Sequence, residues 1–145
     1  MNLLSIIIFI YLGYCSYTDI KRKEIKVFPT ITICAISIIA CLILLFKNRL
    51  EPMNFLLSFA PGFILVFISF ITKENIGYGD SIILGLCSIS TNLWSGIFII
   101  LISFICSALY SLFLLIKGKS GKETIPFVPF IFIGYFLYIL QGGAL

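Results

Sequence analysis

The segment SIILGLCSISTNLWSGIFIILISFICSALYSLFLLI, residues 81–116, runs for 36 positions without a charged side chain. As one helix rising about 1.5 Å per residue it would reach roughly 54 Å, well beyond a hydrocarbon core of about 30 Å. It therefore has to fold back on itself. The polar cluster Ser88-Ile89-Ser90-Thr91-Asn92, followed by Trp94, Ser95 and Gly96, marks the place. Small polar residues suit a turn and the cap of a new helix, and Trp favours a membrane interface.

Four further charge-free stretches flank this one: Met1–Thr18, Val27–Phe46, Pro52–Thr72 and Thr124–Leu145. Each is near the length that one bilayer crossing needs. The expected fold is all-α, a polytopic membrane protein with six transmembrane helices in a single unit, residues 1–145. Composition agrees. Of 145 residues, 61% are hydrophobic and 11% charged, with mean hydropathy +1.18, which excludes both a soluble globule and a disordered chain. Met1–Thr18 has no basic stretch ahead of its apolar run and no small-x-small cleavage site, so it reads as the first helix rather than a cleaved signal.

The basic residues set the orientation. Lys21, Arg22, Lys23, Lys26, Lys73, Lys117, Lys119 and Lys122 fall in the loops after the odd-numbered helices, against Lys47 and Arg49 on the other side. By the positive-inside rule the three basic loops are cytoplasmic and both termini are extracytoplasmic.

The chain contains no histidine, which excludes Ser-His-Asp and Cys-His catalysis and histidine metal sites. Cys15, Cys34, Cys41, Cys87 and Cys106 show no Cys-x-x-Cys spacing and read as small apolar packing residues. No metal or cofactor is expected.

Six acids remain. Glu24, Glu51, Glu74 and Glu123 each lie within two residues of a Lys or Arg and read as solvated loop charges. Asp19 directly follows one apolar run and Asp80 directly precedes another, both where a cytoplasmic loop meets the bilayer. An ionisable group at that depth is costly unless it is paired, hydrated or functional. Asp80 ends Gly77-Tyr78-Gly79-Asp80, whose glycines allow a close backbone approach or a positive φ. Taken singly, Asp80 also fits a helix N-cap and Asp19 a juxtamembrane charge. Taken together, two neighbouring carboxylates share a proton, so that one activates water while the other hydrogen-bonds a substrate carbonyl.

These residues resemble the type IV prepilin peptidases and their archaeal preflagellin peptidase relatives, membrane aspartic proteases of the G-x-G-D kind. Asp19-Ile20-Lys21-Arg22-Lys23-Glu24-Ile25 is similar to the family's Asp, basic stretch and Ile-Pro-Asn. Gly77-Tyr78-Gly79-Asp80 matches its G-x-G-D, and Ile125-Pro126-Phe127-Val128-Pro129-Phe130, with Gly134 beyond, resembles its I-P-F-G-P-F. The departures are Lys26-Val27 for Pro-Asn, Ile82 for a lysine and Val128 for a glycine.

The resemblance implies Asp19 and Asp80 as catalytic residues, with Gly77, Tyr78, Gly79, Ile25, Pro126 and Phe127 shaping the substrate groove. Pro126 and Pro129 also fit the ordinary preference for proline at a helix start. The implied substrates are prepilin-like precursors with a basic leader and an apolar N-terminal helix, cut at the cytoplasmic membrane face. The lipid bilayer is the other implied partner, and no nucleic acid is. Lacking the paired-cysteine insertion of the methylating members, the chain resembles the short, peptidase-only branch. Two other readings use the same carboxylates: a presenilin or signal-peptide-peptidase-like protease, and a small carrier with an ion or proton site.

Overall fold

The computed structural model describes residues 3–22, 27–46, 51–71, 77–118 and 125–142. Among these residues every regular element is helical: α1 (Leu3–Arg22), α2 (Val27–Phe46), α3 (Pro52–Leu57), α4 (Ala60–Ile71), α5 (Tyr78–Ser90), α6 (Leu93–Ile116) and α7 (Val128–Leu140). Pro52–Ile71 and Leu93–Ile116 are long and apolar enough to cross a membrane.

The fold-back expected in residues 81–116 occurs between α5 and α6. There the Asn92 side chain accepts from the Ser95 amide at 2.9 Å and caps α6. In Pro52–Thr72 a single helix was expected, and the structure divides it. Pro61 has no N–H to offer the carbonyl four residues back, and that residue is Leu57, where α3 stops. A turn at Ser58 and Phe59 joins α3 to α4, so the third expected span consists of two helical segments. The sequence 124–145 is also less helical than its apolar length suggests. Residues 125–127 lead into α7 without regular structure, and α7, like α5, has only 13 residues, about 20 Å.

α5 lies at the centre, packed on α2, α4 and α6, while α7 sits against α1 and α6. Ile83, Leu84, Leu86 and Cys87 of α5 join Ile8 and Leu12 of α1, Ile99 of α6, and Ile131 and Tyr135 of α7 in one core. Outward faces carry exposed Ile10, Phe46, Phe63, Phe70 and Ile116, a surface suited to hydrocarbon rather than water.

Small residues bring the helices together, as is common where lipid removes the hydrophobic drive between apolar faces. A Cβ built on Gly62 would lie 2.6 Å from the Gly85 Cα, so α4 and α5 cross backbone to backbone. Gly62→Val is therefore expected to destabilise the fold by about 1–3 kcal/mol, the usual range for overpacking. A lowered thermal midpoint of the purified protein in detergent is the check.

Candidate active site

Asp19 lies in the last turn of α1, where the helix dipole is unfavourable to a negative charge. It is nevertheless 6% exposed. Its compensation comes from α7. The Val128 amide donates to Asp19 Oδ2 at 3.0 Å, and the Phe127 amide supports the same carboxylate. α7 needs this arrangement as much as Asp19 does. Its N-cap residue, Phe127, offers no side-chain acceptor, and its first turn would otherwise leave amides without partners. Pro126 and Pro129 lack N–H groups, so the amides between them are the ones left to satisfy.

Asp80 reaches the same region from the head of α5. The structure corrects its reading as an N-cap: Gly77 is the N-cap, Ser81 N–H bonds to Gly77 O at 3.1 Å, and Asp80 lies within the first turn. The suggestion of positive φ at this motif is also corrected. Gly77 has φ −59°, and the positive-φ glycines among the described residues are Gly118 and Gly142. Space is what Gly77 supplies. A Cβ there would stand 3.1 Å from Asp80 Oδ2, tighter than ordinary contact, so glycine leaves the carboxylate its position.

The two carboxylates lie just outside the charge-free runs, one after Thr18 and the other before Ser81. Burial, and then the negative charge of Asp19, push Asp80 up to about 7. Asp19 is raised by burial too, but its amide donors oppose the rise. The pair is thus unequal: Asp19 has hydrogen bonds that favour its anion, whereas none holds Asp80 among the described residues.

Tyr78 and Gly77 are exposed beside Asp80, and Gly79 is half-buried. Pro126 and Phe127 are half-buried next to the Asp19 contact. Ile25 lies outside the described residues, as do Glu24, Lys26, Glu74 and Glu123. Val128, noted in the sequence only for replacing a glycine, proves to be fully buried and to hold Asp19 through its backbone. The signal was present: a helix start between two prolines, with no Ser, Thr, Asp or Asn of its own to cap it.

Beyond Asp80 an apolar groove of about 210 Å³ runs between α2, α4 and α5. Ile38, Phe63, Val66, Ile82 and Leu86 line it, together with the buried Gly62 and Gly85. Ser81 and Ile82, the two residues after Asp80, place one part of the groove beside that carboxylate.

Residues 6–112 match the model of the type IV leader peptidase family. No curated protein and no solved structure matches the chain.

Proposed function

Because the chain belongs to the type IV leader peptidase family, we propose that it is an aspartic endopeptidase that removes short basic leaders from prepilin-like precursors at the cytoplasmic face of the membrane. The observation that supports this reading is that Asp19 of α1 and Asp80 of α5 lie near enough for the charge of Asp19 to raise the pKa of Asp80. Such a pair activates water and polarises a carbonyl without histidine or metal.

In this reading six spans cross the bilayer, with the loops on the aspartate side cytoplasmic. The substrate's apolar helix lies in the groove beside Ile82 and Leu86, as helices do in apolar grooves. Its leader extends past Asp80 toward the loops. Purified protein in detergent, with no ion gradient, is expected to shorten a synthetic precursor to a single mature product, identified by mass. An intact precursor, or a cut deep within the apolar helix, overturns the reading.

The pH dependence follows from Asp80. As the acid it must hold its proton, and its pKa near 7 means the proton is lost as pH rises through that value. Cleavage is expected to be level from about pH 6 down to the pH at which Asp19 takes up a proton, and to fall toward tenfold per unit well above 7. Initial rates of leader cleavage across that range check the sign.

A further inference from the structure

The two carboxylates are held differently, and the difference assigns their tasks. Asp19 is buried, and its Oδ2 receives the Val128 amide at 3.0 Å. That amide belongs to the first residue of α7; the helix-end field does not separate the two carboxylates, because Asp80 lies in the first turn of α5, so the amide bond is what distinguishes them. Hydrogen bonds from backbone N–H groups stabilise a carboxylate anion and do nothing comparable for the neutral acid. Asp80 has no such donor among the described residues.

We propose that the head of α7 fixes Asp19 as the ionised, water-activating member of the pair, and that Asp80 carries the shared proton. This rests on the aspartic peptidase reading given above.

The proton movements then balance. Asp19 takes a proton from water as the water oxygen bonds to the scissile carbonyl carbon, and Asp80 gives its proton to the carbonyl oxygen. The result is a neutral tetrahedral diol, with Asp19 protonated and Asp80 ionised. As the C–N bond breaks, Asp19 returns a proton to the departing nitrogen and Asp80 recovers one from a diol hydroxyl. Both residues end as they began.

Among the described residues, the surroundings of Asp19 offer no rival source of this asymmetry. On α1, Cys15 interacts with it electrostatically but is a neutral thiol in the core. Lys21 on the same helix lies over the Tyr17 ring at 5.8 Å. On α2, Cys34 interacts with Tyr11 rather than with Asp19. On α5, Asp80 is the facing titratable group. α7 contributes backbone amides.

The test removes one donor and keeps every side chain. Val128 is replaced by its α-hydroxy acid, converting the 127–128 amide to an ester. The same change at Ile131 is the control, since it also disturbs the Phe127 carbonyl, through the Ile131 N–H to Phe127 O bond, without touching Asp19. In an Asp80→Asn background the remaining Asp19 is titrated by its protonated-carboxyl stretch in the infrared. The Val128 ester is expected to raise that midpoint by about one pH unit, and the Ile131 ester to leave it in place. In the otherwise unchanged enzyme the acid limb of the cleavage profile should rise by a similar amount, while the alkaline limb stays.

An unmoved Asp19 midpoint overturns the proposal, as does a shift of the alkaline limb alone. The infrared titration needs no substrate. Failure of the unmodified protein to cleave any leader would count against the peptidase reading while leaving the assignment of the ionised carboxylate to be decided by titration.

Discussion

Asp19→Asn and Asp80→Asn each lower leader cleavage by roughly 10³-fold or more, about 4 kcal/mol of barrier, and the double variant is no slower than either. The expected non-additivity is the informative part. If Asp19 takes the proton from water while Asp80 holds the one given to the carbonyl, removing either already stops the step, and nothing remains for the second change to remove. Independent contributions would instead multiply. Both variants should insert and fold, because replacing a carboxylate at membrane depth relieves a desolvation cost. Asp19→Asn should be the less stable of the two, since its amide partner at Val128 then meets a neutral acceptor. Cleavage by purified variants, with thermal midpoints measured in parallel, checks all of this. Near-normal cleavage by either folded variant would end the aspartic reading.

Gly134→Leu is expected to be the most damaging substitution away from the carboxylates. A Cβ on Gly134 would stand 2.9 Å from both the Ile99 carbonyl oxygen and Ser103 Oγ, where α7 crosses α6. The carbonyl belongs to a helical backbone and cannot turn aside, so α7 itself must move. Overpacking of this kind costs about 1–3 kcal/mol, and a leucine against fixed backbone belongs at the upper end or beyond. The effect on cleavage should exceed the effect on stability. Moving α7 also moves the Val128 amide away from Asp19 and disturbs the Phe9–Phe132 stack, 4.8 Å between centroids, that joins α7 to α1. A folded variant with cleavage reduced by less than about tenfold would mean that α7's placement does not control the site.

The helices and the fold-back were legible because charge and its absence are local properties. The 36-residue neutral run had to bend, and its polar cluster showed where. The interruption at Pro61 was legible in principle, since a proline ten residues into an apolar stretch removes a hydrogen bond wherever it sits. Asp19 and Asp80 stood out as acids that directly abut an apolar run where a basic loop meets it. The Val128 contact was not legible in that way. It joins residues 109 positions apart, and a backbone amide has no letter in the sequence. Of the two reasons the sequence offered for the glycine at 77, positive φ does not hold, and the structure adds a third, the room it leaves for Asp80 Oδ2.

The hydroxyls carry a consequence for how such a chain is made. Ser58, Ser90, Thr91 and Ser103 each return their hydroxyl to a carbonyl four residues back on their own segment, so each segment satisfies them alone. Ser88 to the Ser58 carbonyl and Tyr11 to Thr30 are among the bonds that join one segment to another, and the Val128 amide to Asp19 spans from α7 to α1. Helices with internally satisfied polar groups enter a bilayer one at a time and associate afterwards. During synthesis the ribosome delivers α1 early and α7 late. Asp19 thus waits through the production of five intervening segments before its amide partner exists, and on the proposed assignment of the carboxylates the nascent protein is expected to gain activity only when α7 docks.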